Sequence, residues 1–268
     1  MDLQLQNKRA LVTGSTGGIG ESIAKHLARE GVSVAINGRN QQAADRIAAE
    51  IEAQGGHVVQ ALGDLGSDKG AQKIADAARS KLGGVDILIN NAGTFKLRQF
   101  MDLSADGWAQ TYNSDVLSMV RMTQLLAPGM KEGGWGRIVN VASGAAISPR
   151  FGPPDYSAAK AAVVNLSISI AQAFAGTGLT CNTVSPGPID TASFRKEGFG
   201  IAAQAGFQSN DWGEVEKFLL QNVLRNPSNR LGTVEDIATA ITFLCSPLNG
   251  WINCADLRVD GGVIPVVN

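Results

Sequence analysis

The chain has 268 residues, of which 44% are apolar and 18% charged, and its formal net charge at pH 7 is −1. This composition is ordinary for a folded protein with a substantial core. The net charge is close to zero, so it gives no argument for binding to nucleic acid or to an anionic membrane. The N-terminus lacks the apolar run of a secretion signal, and no run of eighteen apolar residues occurs, so we expect neither a signal peptide nor a membrane span.

Short apolar runs alternate with longer amphipathic stretches along the chain. The predicted strands are residues 10–12, 32–36, 57–61, 85–89, 137–141, 179–184 and 257–259. The predicted helices that separate the first four are residues 18–30, 43–53 and 69–82. Strands that alternate with helices of this length favour a parallel sheet covered on both faces. The sequence therefore predicts a single α/β domain over residues 1–268, a Rossmann-type doubly wound parallel sheet of about seven strands.

Residues 188–227 interrupt this alternation. The segment has no strand pattern and contains several glycines and scattered aromatic residues, namely Phe194, Phe199, Phe207, Trp212 and Phe218. A long excursion inside a compact domain is often a lid, so we predict a substrate-binding lid here. Its aromatic residues favour a mostly apolar ligand, although they could equally pack a small core of the insertion itself.

A glycine-rich turn follows the first predicted strand and opens a helix, with the sequence Thr13-Gly14-Ser15-Thr16-Gly17-Gly18-Ile19-Gly20. Glycine permits a tight turn and a close approach of the backbone to a pyrophosphate. The N-terminus of the helix then presents free N–H groups to the phosphates. This segment predicts a dinucleotide site.

The end of the second predicted strand bears on which dinucleotide is bound. An acidic residue there would hydrogen-bond the adenosine ribose and repel a 2′-phosphate, but the chain has Gly38 at that position and Arg39 after it. A guanidinium suits a phosphate and stacks on adenine, so we expect NADP(H), with NAD(H) as the weaker alternative.

Tyr156 and Lys160 are spaced to share one face of a helix, at positions i and i+4. A phenol holds its proton tightly at neutral pH, and a nearby ammonium favours the phenolate, which makes the hydroxyl a more useful acid or base. Ser143 lies at the C-terminal end of the fifth predicted strand, where ligands of open parallel sheets bind.

Together these segments resemble the short-chain dehydrogenase/reductase family over essentially the whole chain. Its fingerprint Thr-Gly-x-x-x-Gly-Ile-Gly is matched at residues 13–20, and its later signatures are matched by Asn90-Asn91-Ala92-Gly93 and by Pro186-Gly187-Pro188-Ile189-Asp190-Thr191. The interval of thirteen residues between Ser143 and Tyr156 is also that of the family.

The resemblance implies a role for each matched residue. Tyr156 would protonate the substrate oxygen as hydride arrives, Ser143 would hydrogen-bond that oxygen, and Lys160 would also hold the nicotinamide ribose. The implied dinucleotide-binding residues are Gly14, Ser15, Thr16, Gly18, Ile19, Gly20, Arg39, Asp64, Leu65, Asn91, Ala92, Gly93, Tyr156, Lys160, Pro186, Gly187, Ile189 and Thr191. Among them Asp64 would hold the adenine together with Leu65, unless it is only a turn residue or a helix N-cap.

One position departs from the family. An asparagine normally stands seven residues after the tryptophan that corresponds to Trp108, where it helps to hold a water in the proton relay, and this chain has Asp115 there. Asn113 is two residues earlier, a rotation of about 200° along a helix, so it cannot take the same place. A carboxylate accepts hydrogen bonds but cannot donate as an amide does. We include Asp115 in the predicted catalytic set and expect the details of proton transfer to differ from those of the family. The alternatives are a helix shifted by a bulge and a relay that tolerates aspartate.

The expected substrate is a small, mostly apolar carbonyl compound or alcohol, of the 3-oxoacyl or simple ketone type. Alternatives are an NAD-dependent alcohol dehydrogenase of the same family and a member that only binds a dinucleotide. Isomerases or dehydratases of nucleotide sugars are disfavoured, because they usually have longer chains.

His26 and His57 form no ligand cluster, so we expect no metal. Three widely spaced cysteines favour reduced thiols and a cytoplasmic protein. Members of the family commonly assemble through helices near Asp115 and after Tyr156. The resemblance therefore implies a homo-oligomer, either a tetramer or a dimer.

Overall fold

The sheet has seven strands, and all of its pairings are parallel. In the computed structural model, which describes residues 1–149 and 152–266, the strands are β1 (Arg9–Val12), β2 (Ser33–Ile36), β3 (Val58–Gln60), β4 (Ile87–Asn90), β5 (Gly136–Val141), β6 (Leu179–Pro186) and β7 (Asp256–Val259). Their order across the sheet is β3-β2-β1-β4-β5-β6-β7. All seven predicted strands are present, and their bounds differ from the predicted ones by no more than two residues.

Helices return the chain to the start of each successive strand. They are α1 (Gly18–Arg29), α2 (Gln41–Glu52), α3 (Asp68–Leu82), α4 (Ala105–Tyr112), α5 (Ser118–Glu132), α6 (Pro154–Ala173), α7 (Ala192–Gln204), α8 (Trp212–Asn222) and α9 (Val234–Leu244). A single π-helical turn, Asn113–Leu117, joins α4 to α5.

Two apolar layers cover the sheet, one on each face. Alternate residues of a strand point to opposite faces. In β1, Ala10 and Val12 therefore join the core formed with α1, α2 and α9. Leu11 faces the other way and joins the core formed with α3, α5 and α6. This arrangement confirms the predicted doubly wound α/β fold.

The segment predicted as a lid forms α7, α8 and the turns around them, and it has a small core of its own. Ala202, Val215 and Leu219 are buried there among the aromatic residues. The rings of Phe207 and Phe218 stack with centroids 4.5 Å apart, and Phe194 and Phe199 each pack edge-on against Trp212. Most of the aromatic residues thus serve the segment's own packing, so they are weak support for an apolar ligand.

No helix within the described ranges is long and apolar enough to cross a membrane. The three cysteines lie in different environments. Cys181 and Cys245 are buried, and burial raises the pKa of each thiol to about 12, whereas Cys254 is exposed.

We expect one thiol per chain to react when the native protein is treated with a disulfide reagent at about pH 8, because only a thiolate attacks and only Cys254 is accessible. The other two thiols should react after unfolding. Release of the chromophore of the reagent measures the count, and Cys254→Ser should reduce the native count to zero. Rapid reaction of a second thiol in the native protein would contradict the burial of Cys181 and Cys245.

Candidate active site

The carboxyl ends of β1, β4, β5 and β6 meet at one edge of the sheet, and a cavity of about 250 Å³ lies there. Crevices at this edge are where open parallel sheets bind ligands. Many of the residues singled out from the sequence line this cavity, namely Ile19, Asn91, Gly93, Ser143, Tyr156, Lys160, Pro186, Gly187, Ile189 and Thr191. The fold thus brings together segments that are far apart in the sequence.

The glycine-rich turn between β1 and α1 is built for a close approach of the backbone. Gly14 has a left-handed φ of 63°, and a Cβ at this position would lie 2.9 Å from the Cα of Ala92. α1 begins after Gly17, and no side chain caps its N-terminus. Its first N–H groups are therefore available to the oxygens of a pyrophosphate, with the partial positive charge of the helix behind them.

Ser15 takes part in the fold rather than facing outward. It is fully buried, its hydroxyl donates to the carbonyl of Val12 at 2.7 Å, and its backbone N–H donates to the carbonyl of Asn37. These bonds brace the turn. Contact between Ser15 and a dinucleotide stays a prediction.

Thr13, which the sequence analysis left without a role, fastens the turn after β1 to the loop after β4. Its hydroxyl accepts the backbone N–H groups of Asn91 at 2.9 Å and Ala92 at 3.1 Å. The side-chain amide of Asn91 donates in return to the carbonyls of Thr13 and Gly14. The only sequence signal for this brace is the position of the threonine directly before Gly14.

Tyr156 and Lys160 lie on adjacent turns at the start of α6, as the spacing predicts. Lys160 is 3% exposed, and its ammonium donates to the carbonyl of Val141 at 3.0 Å. The ammonium lies 5.5 Å from the centroid of the Tyr156 ring, and Phe95 packs edge-on against that ring at 5.2 Å. The hydroxyl oxygen of Ser143 accepts the N–H of Ala145 at 3.1 Å, which leaves the hydroxyl proton free to be donated.

Asp115 lies in the π-helical turn and is fully buried. Its carboxylate lies 3.5 Å from the ammonium of Lys160, and it accepts the backbone N–H of Thr94 at 3.1 Å and the hydroxyl of Ser114 at 2.6 Å. All of these partners are donors. The surroundings therefore suit an ionised carboxylate, which compensates the buried ammonium.

Asn113 does not replace Asp115. Its side-chain amide donates to the carbonyl of Gly66 and accepts from Arg121, so both of its polar groups are used on the α3 side of the helix. The helix is bulged here, which was one of the alternatives for this position, and the bulged turn still carries Asp115 to Lys160. A Cβ at Gly93 would lie 2.9 Å from a carboxylate oxygen of Asp115 and 3.2 Å from the Lys160 nitrogen, so only glycine leaves the pair undisturbed.

Arg39, Asp64 and Leu65, three of the residues expected around the adenosine, lie outside the main cavity. Arg39 is exposed and lines a separate shallow depression with Thr16 and Asn40. Asp64 is exposed, and its carboxylate accepts the N–H of Gly66 at 3.1 Å, while Leu65 is buried beside α3. Asp64 is thus at least a turn residue, and its contact with adenine stays a prediction.

Several cavity residues were missed by the sequence analysis. Thr94 and Phe95 follow Gly93 in the loop after β4, and Val263 and Ile264 follow β7. The signal for the second pair is weak, namely two apolar residues directly after Gly261-Gly262 near the end of the chain. Among the described residues, no three His, Cys, Asp or Glu side chains lie close enough together to hold a metal ion.

Comparison with known proteins identifies the family. The model of the short chain dehydrogenase family matches residues 8–199. An uncharacterized oxidoreductase of Bacillus subtilis is 36% identical, covering 98% of this chain and 99% of its own length, and the 7alpha-hydroxysteroid dehydrogenase of Escherichia coli is 34% identical, covering 100% and 98%.

Solved structures agree with these relatives. L-sorbose reductase from Gluconobacter frateurii, complexed with NADPH and L-sorbose, superposes with a TM-score of 0.92 at 29% identity over 100% of both chains. A 7 alpha-hydroxysteroid dehydrogenase complexed with NADH and 7-oxo glycochenodeoxycholic acid has a TM-score of 0.84 at 33% identity, covering 100% of this chain and 98% of its own. The chain belongs to the short-chain dehydrogenase/reductase family, and it is an oxidoreductase of that family.

The buried pair of Asp115 and Lys160 leads to a prediction about pH. The negative charge of Asp115 stabilises the ammonium and opposes a phenolate on Tyr156, whereas oxidation of an alcohol requires a base. In Asp115→Asn, the alkaline limb of the pH profile for alcohol oxidation should therefore move to lower pH. Reduction should be less affected, because the role predicted for Tyr156 in that direction requires the protonated phenol. Steady-state rates in both directions across pH measure this shift.

Asp106→Asn is the matched control, because Asp106 is an exposed residue of α4 and its substitution should leave both profiles unchanged. The affinity for the dinucleotide should be nearly the same in all three proteins. A profile of Asp115→Asn that overlays that of the unmodified protein would mean that Asp115 has no influence on the titrating group.

Proposed function

We propose that the protein is an NADP(H)-dependent oxidoreductase that transfers hydride between nicotinamide and the carbonyl or secondary alcohol of a small, largely apolar substrate. The observation that carries this proposal is the position of Ser143, Tyr156 and Lys160 on one cavity that also reaches the glycine-rich turn through Ile19. In this proposal Tyr156 is the proton donor, Ser143 the hydrogen-bond donor and Lys160 the buried cation, beside a helix end that would bind phosphate.

The residues present fit a nicotinamide dinucleotide. The uncapped N-terminus of α1 suits the pyrophosphate, and Ile189 and Thr191 on the cavity wall would hold the carboxamide. Lys160 and Tyr156 would bind the nicotinamide ribose. The bound cofactor supplies or accepts the hydride, and the protein handles the proton.

The depression beside Arg39 supports the phosphorylated dinucleotide. A Cβ at Gly38 would lie 2.3 Å from the hydroxyl oxygen of Thr16, so an acidic side chain could enter there only if Thr16 moved. Arg39 forms no ion pair among the described residues, and it is exposed where a 2′-phosphate would lie. The NADPH in the L-sorbose reductase structure agrees with this preference, whereas the NADH in the hydroxysteroid dehydrogenase structure keeps NAD(H) as the alternative.

In the direction of reduction, the carbonyl oxygen of the substrate lies between Ser143 and Tyr156. As hydride adds to the carbonyl carbon, the electron pair of the C=O bond moves to oxygen, and Tyr156 transfers its hydroxyl proton to that oxygen. The Ser143 hydroxyl donates a hydrogen bond to the developing charge. Lys160, fixed by Val141 and Asp115, stabilises the phenolate that results.

The alternative of a member that only binds a dinucleotide predicts no turnover. Oxidation of NADPH with a panel of ketones decides between the two: turnover of any ketone supports the enzyme, and binding of NADPH without turnover across the panel supports the binding protein. The complete set of Ser143, Tyr156 and Lys160 at the cavity favours the enzyme.

We also propose a cytoplasmic homo-oligomer, either a tetramer or a dimer. The helices around Asp115 and after Tyr156 leave apolar side chains exposed, with Tyr112 at 46%, Leu117 at 37% and Ile168 at 39%. The free cysteines fit a reducing compartment. Sedimentation measurements on the full chain test the assembly, and a monomer at micromolar concentration would contradict it.

Arg39→Asp should weaken NADPH binding and improve NADH binding, since it removes a phosphate contact and adds a carboxylate. Loss of a charged contact costs about 1.5–3 kcal/mol, or about ten- to a hundred-fold in affinity. Fluorescence titration with each dinucleotide measures the change. Lys131→Asp at the far end of α5 is a charge-reversal control and should leave the preference unchanged. An unaltered preference in Arg39→Asp would remove the assignment.

Tyr156→Phe keeps the ring and its packing against Phe95 but removes the proposed proton donor. General acid catalysis contributes about 10²–10⁴-fold, so turnover should fall by at least this factor while the dinucleotide still binds. Tyr112→Phe alters the other tyrosine of the chain, which is exposed, and should leave turnover unchanged. If Tyr156→Phe reduced ketones at the rate of the unmodified protein, another group would have to be the acid.

A further inference from the structure

The segment after β7 turns back into the molecule and ends against the substrate cavity. In this segment, residues 260–266, which we call the tail, Val263 and Ile264 are only 4% and 3% exposed. Both line the cavity together with Ser143 and Gly144. On either side of the pair, Gly262 and Pro265 are exposed. Within the tail, the side chains of Val263 and Ile264 are thus buried at the cavity, while the residues next to them are exposed.

A set of hydrogen bonds holds this tail in place. The carboxylate of Asp260 accepts the N–H groups of Gly262 at 2.9 Å and Ile264 at 3.2 Å. The guanidinium of Arg258 donates to the carbonyls of Ile264 and Val266, both at 3.0 Å. Every one of these contacts uses the backbone of the tail, so the path of the chain is fixed independently of the side chain at position 264.

The turn is also supported from the side of α8. Gly262 has a left-handed φ of 81°, and a Cβ there would lie 2.9 Å from Pro227. The backbone N–H of Ser228 donates to the carbonyl of Gly261 at 3.3 Å. The tail and the end of the proposed lid segment therefore support each other at the wall of the cavity.

Ile264 closes the space beside the proposed catalytic serine. A Cβ at Gly144 would lie 2.5 Å from the Cδ1 of Ile264, so the isoleucine fills the place that a side chain after Ser143 would occupy. The other apolar lining residues come from elsewhere in the fold: Phe95 comes from the loop after β4, and Phe194 and Ile201 come from α7. If a carbonyl is held by Ser143 and Tyr156, one of its substituents would lie against Ile264 beside Gly144, and the other would meet the rest of the lining.

We propose that Ile264 is a specificity-determining residue that limits the carbonyl substituent on the Ser143–Gly144 side to a small apolar group, and that Arg258 positions it through the backbone of the tail. This inference rests on the proposed function, because it assumes that a ketone is bound at Ser143 and Tyr156. The preferred substrate would be an uncharged ketone with one compact alkyl group, and the second substituent would face Phe95 and α7.

The experiment uses acetophenone, propiophenone and butyrophenone, which keep one aryl group and lengthen the alkyl group by one carbon at a time. The kcat/KM for NADPH-dependent reduction should fall along the series in the unmodified protein. In Ile264→Ala, the ratio of kcat/KM for propiophenone to that for acetophenone should rise by about ten- to two-hundred-fold, the range that one methylene contributes in an apolar pocket. Ile264→Val should give a smaller rise in the same direction.

Val266→Ala is the matched control, because its side chain is 42% exposed on the same tail and its backbone carbonyl is retained. Its ratio should equal that of the unmodified protein. Arg258→Gln should make the fall of kcat/KM along the three ketones smaller, although residue 264 is still isoleucine, because the tail loses the hydrogen bonds that position it. If Ile264→Ala fails to fold, Ile264→Val and Ile264→Phe decide the question, since the larger ring should lower the ratio further.

Affinities of the three ketones for the complex of protein and NADP⁺, measured by ligand-observed NMR, separate this inference from the proposed reaction. One outcome is that no ketone supports NADPH oxidation, but the fall in affinity from acetophenone to butyrophenone is smaller in Ile264→Ala than in the unmodified protein. That outcome would reject the proposed reaction and support the assignment of Ile264. The same ratio in Ile264→Ala and the unmodified protein, by both measurements, would overturn the assignment. An equal rise in Val266→Ala would also overturn it.

Discussion

Lys160 lies in the interior with 3% of its surface exposed, so its ammonium cannot rely on water and must be compensated by the protein. The carbonyl of Val141 supplies one acceptor at 3.0 Å from the Lys160 nitrogen, and the carboxylate of Asp115 lies 3.5 Å from the same atom. Leaving one member of such a pair without its partner typically costs about 3–5 kcal/mol. The ammonium of Lys160 therefore links three elements of the fold in one arrangement: the end of β5, the first turns of α6, and the turn between α4 and α5.

This arrangement explains two local irregularities. A regular helix from α4 to α5 would continue past residue 113 without interruption, but a π-helical turn carries Asp115 inward, where Thr94 and Ser114 complete its shell of donors. Such turns are rare and are frequent at functional sites. Gly93 is the second irregularity, because any side chain there would meet the Asp115 carboxylate and the Lys160 ammonium. Both features follow from the need to bury a charge beside an accessible cavity.

The sequence was sufficient for the parts of the molecule that local patterns determine. The strands, the glycine-rich turn and the spacing of Tyr156 and Lys160 depend on residues close together in the chain, and strict alternation with helices leaves few topologies. The inward position of Asp115 depends on a bulge that has no sequence signature here. The role of Thr13 was hidden for a related reason, because its hydroxyl serves residues 78 and 79 positions away. The aromatic residues of 188–227 were ambiguous, since packing against one another and packing against a ligand require the same side chains.

The elements that carry the proposed chemistry differ in kind from those that shape the cavity. Ser143 lies just after β5, a strand of the sheet, and Lys160 lies on α6, which packs against the sheet, while Phe95, Phe194 and Ile264 belong to a loop, an insertion and a tail. These three walls touch one another, because the N–H of Leu97 donates to Glu197 of α7 at 3.0 Å, and Gly261 and Gly262 rest against residues 227 and 228. A substitution in one wall can change the shape of the cavity while the Lys160 pair and the turn after β1 keep their partners. In the proposed function, elements packed against the sheet thus hold the groups whose geometry the reaction would require, and the less regular segments would determine which substrate reaches them.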